Sequence, residues 1–392
     1  MRRVFTFLTA IVLLLVSLGV GVFTADLPFW RRALQLPLPA DGAYLPVASI
    51  GIPEPPPPNP SHEEPANPAV PPIDALVVEE AANRAANSGS RALLVQYRGA
   101  LAVERYFLTD DAHTLLPAAL VARPIAAMAI GIARADGKIA SLDDPVARYL
   151  PEWDDEVRGR ITLRQLLEET SGLETGGDTG GLLYRSPWRE PASLPVFATS
   201  RGVRMLLGND FESSALGFRL EHEPGGFYNL SPANTQLAAV IIERVTGEPY
   251  ENFVDERLWR PVGAGVAELQ LDRRAGMPAA HCCWRATARD MLRILSLLGT
   301  DGVHDGRAVL PAGWAREMAQ ASRVSAGTGM QVARLNIDGV EALEVRDDAG
   351  SAFWIIPQRQ LAILNITNLG GSAIADLPGM LLKGIEAPAP VP

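Results

Sequence analysis

Apolar residues along the chain occur in short runs of strand length and in longer stretches of helical length. The early runs Ala92–Tyr97 and Leu101–Phe107 flank the connection Arg98-Gly99-Ala100, and this pattern predicts a β-hairpin. Two further runs of strand length, Phe353–Ile356 and Leu361–Ile366, come late in the chain. Because a hairpin cannot bury itself alone, we expect the early and late strands to share one sheet.

Stretches of helical length separate these runs. The predicted helices are Asp74–Ala86, Leu120–Ala135, Thr235–Thr246, Ala286–Gly299 and Asp376–Ile385. Thr162 and Gln165 also have the spacing of a capping box. The order of elements predicts an α/β (α+β) protein, in which an antiparallel sheet of early and late strands is flanked by helices and a helical middle forms a second lobe.

The N-terminal run 4–24 is uncharged, mostly apolar and 21 residues long, and it follows Arg2 and Arg3. At about 1.5 Å per residue a helix of this length spans roughly 30 Å, the thickness of a bilayer core. We therefore expect a transmembrane anchor at 1–25, with the membrane as a partner; a cleaved signal peptide is the alternative. Both place the remaining chain in the periplasm or outside the cell, and the anchor implies a single-pass protein of the inner (cytoplasmic) membrane.

A proline-rich segment follows, with ten prolines among the twenty residues 53–72. This composition predicts either an extended polyproline II spacer or a disordered linker. The predicted organisation is therefore an anchor at 1–25, a linker at 26–73 and one domain at 74–388. Within that domain, the sheet lobe covers about 74–119 and 285–388, and the helical lobe covers about 120–284.

Charge and composition exclude several kinds of site. The net charge of −10 argues against a nucleic-acid partner, which requires a basic face. The five histidines show no metal-ligand spacing, and two cysteines alone cannot build a structural zinc site. No metal or cofactor is therefore predicted. Because neighbouring residues rarely form a disulfide, Cys282 and Cys283 are expected to be buried thiols.

Several segments resemble, in their joint order, the β-lactamase-related serine hydrolases, which include class C β-lactamases, DD-peptidases, esterases and 6-aminohexanoate-dimer hydrolases. The segments are Ala92–Val95 through Glu104–Tyr106, Ala135–Ile139, Leu142–Val146, Tyr149–Pro151, Ile161–Leu167, Thr170–Leu173, Glu223–Gly225, Asn234–Leu237, Glu243–Gly247, Cys282-Cys283 and Ala286–Asp290. The resemblance spans roughly 92–369. It implies a serine β-lactamase/penicillin-binding-protein-like fold.

The same resemblance implies a reactive serine and lysine in an S-x-x-K motif at a helix start. At that position this chain has Leu120 and Arg123. Leucine has no nucleophilic atom, and an arginine stays protonated, so it cannot act as a base. Only Lys138 and Lys383 are lysines, and neither follows a serine at this spacing, so the chain contains no S-x-x-K.

Two further motifs implied by the resemblance also differ. The tyrosine of a Y-x-N-like motif aligns with Leu230, and the motif ends at Pro232. Tyr228 is two residues away and is expected to point elsewhere. The lysine or histidine that precedes a glycine on a late strand aligns with Asp348, and the glycine with Gly350. An aspartate there would repel a substrate carboxylate.

These differences predict a catalytically inactive member of the family that acts by binding. Arg123 is the candidate ligand-binding residue, because a fixed guanidinium binds carboxylates; a salt bridge to Asp348 is the alternative. Cell-wall peptides or another envelope protein are the expected partners. The competing hypothesis is an active amidase or esterase with a non-standard nucleophile, taken from Ser231, Ser351, Cys282 and Cys283. A decayed protein without a role is the third.

Overall fold

A six-stranded antiparallel sheet lies at the centre of the protein, with strand order β3-β2-β12-β11-β10-β9. The computed structural model describes residues 26–34, 46–53, 73–154, 157–177, 199–367 and 374–386, together with Ser17. The strands of this sheet are β2 (Ser90–Tyr97), β3 (Ala100–Tyr106), β9 (Ala333–Ile337), β10 (Val340–Arg346), β11 (Ala352–Ile356) and β12 (Leu361–Thr367).

The predicted hairpin and the predicted shared sheet are both confirmed. Strands β2 and β3 meet at the pair Tyr97–Ala100, so Arg98 and Gly99 form a two-residue turn. Both turn residues have positive φ, 51° and 81°, as tight hairpins of this length require. On its other side β2 pairs with β12, and this pairing joins the first strands of the domain to the last.

Helices cover both faces of the sheet, because successive residues of each strand point to opposite sides. Leu93 and Val95 pack in one apolar cluster with the helices at 75–87 and 377–386, whereas Leu94 packs in the larger cluster with the helices at 119–135 and 288–296. The helices are α1 (Leu27–Ala33), α2 (Ala75–Asn87), α3 (Ala119–Ala135), α4 (Leu163–Leu167), α5 (Arg201–Leu207), α6 (Phe211–Leu216), α7 (Pro232–Thr246), α8 (Tyr250–Val254), α9 (Ala288–Ser296), α10 (Trp314–Met318) and α11 (Leu377–Glu386).

Smaller sheets complete the architecture. Strand order β1-β5-β6-β4 forms a four-stranded antiparallel sheet, and β7 and β8 form a short hairpin. These strands are β1 (Val47–Ile50), β4 (Leu116–Pro117), β5 (Ala267–Gln270), β6 (Trp284–Ala286), β7 (Val303–His304) and β8 (Arg307–Ala308). Mixed helices and antiparallel sheets of this kind confirm the predicted fold class.

Two parts of the predicted linker 26–73 are regular elements that pack on the domain. In α1, Phe29 is fully buried against Val203 and Leu207. Strand β1 pairs with β5 through Ile50 and Ala267. The sequence interpretation followed the proline content and missed these elements, which depend on distant partners. The proline-rich run 54–72 lies outside the described residues.

The predicted transmembrane anchor is corrected. Of the run 4–24 the structure describes only Ser17, and the described part of the chain contains no helix that is long and apolar enough to cross a membrane. The membrane as a partner and the single-pass inner-membrane localisation therefore lose their basis. The predicted periplasmic or extracellular location and the predicted cell-wall peptide or envelope partner relied on the same run. These predictions are therefore corrected together with the anchor.

Helix α4 carries the predicted capping box. The Thr162 hydroxyl accepts from the Gln165 N–H at 3.2 Å, and the Gln165 side chain accepts from the Thr162 N–H at 2.9 Å. We expect Thr162→Ala to lower the free energy of unfolding by about 1 kcal/mol, since it removes one of these bonds. Urea denaturation measures the change. Thr162→Ser keeps the hydroxyl and is the matched control; equal losses in both variants would contradict a role for the cap.

Candidate functional site

The candidate site includes a residue from the start of α3. Leu120 is fully buried in the apolar core, while Arg123, one turn further along the helix, is only half-buried. The helix begins at Ala119, so Pro124 lies in its second turn. Since proline has no N–H, the Leu120 carbonyl lacks its usual helical donor at this point.

Arg123 reaches a cavity of about 230 Å³ between α3, the end of β10 and the loops that follow α4, precede α7 and precede β9. The cavity is lined by Arg123, Glu169, Tyr228, Leu230, Thr328, Gly329, Gln331, Val332, Ala333, Glu344, Val345, Arg346, Asp347 and Asp348. Of the residues predicted from the motifs, the structure brings Arg123, Leu230 and Asp348 together here. Leu120, Pro232 and Gly350 do not line the cavity.

The Arg123 guanidinium is held by a backbone carbonyl. Its Nη2 donates to the carbonyl oxygen of Arg346 at the end of β10. The alternative of a salt bridge to Asp348 is not formed, since within the described ranges Arg123 has no acid within 4.0 Å. Its other N–H groups have no hydrogen-bond partner among the described residues, so they are available to a group in the cavity.

A buried carboxylate that the sequence interpretation missed lies beside Arg123. Glu169 is 2% exposed, and it accepts hydrogen bonds from the Ser231 N–H (3.0 Å), from the Asn234 side chain and from Gln331 Nε2 (2.8 Å). Burial raises the pKa of Glu169, while these bonds and the charge of Arg123 oppose the rise. The carboxylate thus ties three separate segments together at the cavity wall.

Tyr228 contributes to the cavity, contrary to expectation. The loop before α7 brings its ring to the lining, two residues before Leu230. Burial raises the pKa of Tyr228, Glu169 raises it further, and Arg123 opposes the rise. The tyrosine, the carboxylate and the guanidinium therefore share one electrostatic environment.

The turn between β10 and β11 supplies the acidic wall. Asp347 Oδ1 accepts from the N–H groups of Ala349 (3.0 Å) and Ser351 (2.9 Å), and Gly350 takes a positive φ of 92°. Asp347 Oδ2 is buried and has no hydrogen-bond partner. Burial raises the pKa of Asp347 to about 6, and the neighbouring Asp348 adds to the rise. Asp347, which motif alignment passed over in favour of Asp348, is the constrained acid.

The two candidate serine nucleophiles are engaged elsewhere. Ser231 is 1% exposed, and its hydroxyl donates to the Glu174 carbonyl oxygen at 2.7 Å. Ser351 is fully buried, and its hydroxyl accepts from the Thr367 N–H at 3.2 Å. Neither residue lines the cavity.

The prediction that Cys282 and Cys283 are buried thiols is wrong. The two sulfurs are bonded to each other, the side chains are half-buried, and they pack beside Phe29 and Val203. Cys283 has a φ of 65°, a left-handed conformation that the sequence argument did not consider. Neither cysteine lines the cavity, and a bonded sulfur is no thiolate nucleophile.

No group of three or more His, Cys, Asp or Glu side chains is arranged to hold a metal ion in the described part of the chain.

The raised pKa of Asp347 predicts a pH dependence of stability. The folded chain keeps the Asp347 proton up to about pH 6, whereas the unfolded chain releases it near the ordinary value of 3.8. The contribution of protonated Asp347 is therefore complete below about pH 4 and is lost as the pH rises to about 6. Asp347→Asn cannot lose a proton. Relative to this variant, we expect the wild type to lose about 2–3 kcal/mol of unfolding free energy between pH 4 and 7.

Denaturant unfolding of both proteins across this pH range measures the difference. Asp348→Asn is the matched control, because its side chain is exposed. If the two variants have the same pH profile, burial of Asp347 is not the cause.

Comparison with known proteins agrees with the fold. The family model described as Beta-lactamase matches residues 74–381. A 6-aminohexanoate-dimer hydrolase from Paenarthrobacter ureafaciens is 27% identical over 284 residues. That stretch covers 70% of this chain and 66% of the relative, just under two thirds of its length.

Two solved structures share the fold. A protein from Bacillus anthracis assigned to the 6-aminohexanoate-dimer hydrolases has a TM-score of 0.64 at 19% identity, covering 90% of this chain and 92% of its own. The octameric penicillin-binding protein homologue from Pyrococcus abyssi has a TM-score of 0.60 at 16% identity, covering 79% and 76%. At these identities the likeness concerns the fold alone. The family match over most of the chain is the stronger finding, and it shows that this protein belongs to the beta-lactamase family of serine hydrolases.

Proposed function

We propose that this chain is a member of the beta-lactamase family that does not form an acyl-enzyme and acts instead by binding a ligand in the Arg123 cavity. The observation that carries the proposal is the start of α3, where Leu120 is fully buried and Arg123 lines the cavity. The family resemblance aligns these two residues with the reactive serine and lysine. An acyl-enzyme requires an oxygen or sulfur nucleophile and a group that accepts its proton.

None of the candidate serines and cysteines lines the cavity. Ser231 and Ser351 are buried and hydrogen-bonded to the backbone, and the two cysteines are bonded to each other. Thr328 does line the cavity, but its hydroxyl is hydrogen-bonded to the Ser322 hydroxyl at 3.1 Å, which is not a base. The described lining of the cavity therefore contains no serine or cysteine that could be paired with a base for acyl transfer.

The binding role is assigned to Arg123. Its Nη2 is fixed by the Arg346 carbonyl, so the guanidinium is oriented before a ligand arrives. Its remaining donors have no partner among the described residues and lie at the cavity lining. A fixed guanidinium with free N–H groups binds a carboxylate through charge-assisted hydrogen bonds. We therefore propose a ligand that has a carboxylate at this end of the cavity.

The absence of acylation is tested by intact-mass spectrometry of the full-length protein after incubation with a fluorophosphonate and with a penicillin. We expect the mass to remain unchanged, because no activated nucleophile meets the reagent. An active serine hydrolase treated in parallel confirms that the reagents are competent. A stoichiometric adduct would overturn the proposal in favour of the active amidase or esterase, and peptide mapping would then identify its nucleophile.

Carboxylate binding is tested with butyrate and two arginine variants. We expect Arg123→Met to weaken butyrate binding at least about tenfold, since a charge-assisted hydrogen bond contributes about 1.5–3 kcal/mol. Ligand-observed NMR measures the affinity. Arg148→Met is the control, because Arg148 is more than half exposed and pairs with Asp144 away from the cavity. Equal butyrate affinities of the two variants would remove Arg123 from the binding site.

A further inference from the structure

The cavity contains acceptor atoms that have no donor. Gln331 is 7% exposed; its Nε2 donates to Glu169, and its Oε1 is buried without a hydrogen-bond partner. Asp347 Oδ2 is also buried and unpartnered. Both residues line the same cavity. A buried acceptor without a donor costs free energy, so both atoms favour a ligand that brings N–H groups.

The charges around these acceptors point to a cation. Arg346 is paired with Glu344, and the Glu169 carboxylate receives three donors from the protein. Asp347 and Asp348 have no Arg, Lys or His within 4.0 Å in the described part of the chain. Two adjacent carboxylates without a counter-charge therefore remain at the β10–β11 turn.

We infer that the cavity has a second subsite, formed by Asp347 and Gln331, that binds a primary ammonium group. An ammonium carries one positive charge and three N–H donors, so it has a donor for each of the two acceptors, Asp347 Oδ2 and Gln331 Oε1. A hydroxyl offers one donor and no charge, and a carboxylate offers no donor and a negative charge. The inference rests on the proposed function only in taking this cavity as the ligand site.

The subsite reverses the polarity that the family resemblance implied. The resemblance places a lysine or histidine at Asp348, where it would attract a substrate anion. In this chain the turn instead presents Asp347 and Asp348, while Arg123 on α3 keeps a cation where the resemblance implies the lysine of S-x-x-K. A ligand that places an ammonium group at the β10–β11 turn and a carboxylate at Arg123 on α3 matches the charges at both ends of the cavity.

Three probes of equal chain length test the inference on the full-length protein: butylammonium, butanol and butyrate. Ligand-observed NMR at pH 7.5 gives their affinities. We expect butylammonium to bind at least about tenfold more tightly than butanol, because only the ammonium forms charge-assisted bonds. Equal binding of these two probes would overturn the subsite.

Variants separate the two ends of the cavity. Asp347→Asn keeps an oxygen for the turn's N–H groups and should weaken butylammonium about tenfold or more without weakening butyrate. Arg123→Met should have the reverse selectivity. Asp338→Asn is the control, since Asp338 is exposed and pairs with Lys383. Unchanged butylammonium affinity in Asp347→Asn would contradict the inference.

A measurement on the wild type keeps the test independent of any variant's folding. Butylammonium affinity should fall as the pH is lowered below about 6, because protonated Asp347 loses its charge. A flat pH profile would also contradict the subsite. If butylammonium does not bind, the result of the acylation test still stands. If the protein forms an acyl adduct and also binds butylammonium, only the proposed function is overturned.

Discussion

The buried Glu169 carboxylate is the interaction on which the cavity depends. A charge removed from water is costly unless hydrogen bonds compensate it, and here three donors do so: the Ser231 N–H and the side chains of Asn234 and Gln331. Ser231 and Asn234 belong to the start of α7, while Gln331 precedes β9. One carboxylate therefore holds the helical part of the domain against the edge of the central sheet, and the cavity lies where they meet.

This arrangement explains how a family scaffold can keep a polar cavity without the family's reactive serine. The helix start that would present a nucleophile is filled by Leu120, which joins the apolar core and adds packing at that point. The polar groups of the cavity include Arg123 on α3 and Asp347 directly after β10, and both residues line it. Each is held by backbone groups, Arg123 by the Arg346 carbonyl and Asp347 by two N–H groups of its own turn.

Local patterns in the sequence predicted the fold well. The Arg98-Gly99 turn and the Thr162 capping box are both set by neighbouring residues, so short-range rules identify them. Three of the residues singled out from the motifs, Arg123, Leu230 and Asp348, line one cavity.

Features that depend on distant partners were not predicted. Glu169 and Gln331 are separated by 162 positions, and nothing in their local sequence indicates that they meet. The pairing of β1 with β5 and the docking of Phe29 beside Val203 are hidden in the same way. The prediction of free thiols at Cys282 and Cys283 was wrong for a different reason. The general rule that neighbouring cysteines stay unpaired does not hold here, where Cys283 has a left-handed conformation.

Steady-state hydrolysis of p-nitrophenyl butyrate by the full-length protein tests the central claim most directly, since this activated ester requires little more than a competent nucleophile. The account predicts a rate that rises linearly with substrate and does not exceed that of the Ser231→Ala and Ser351→Ala variants or of a catalytically inert protein at the same concentration. Saturable turnover above that background would contradict it.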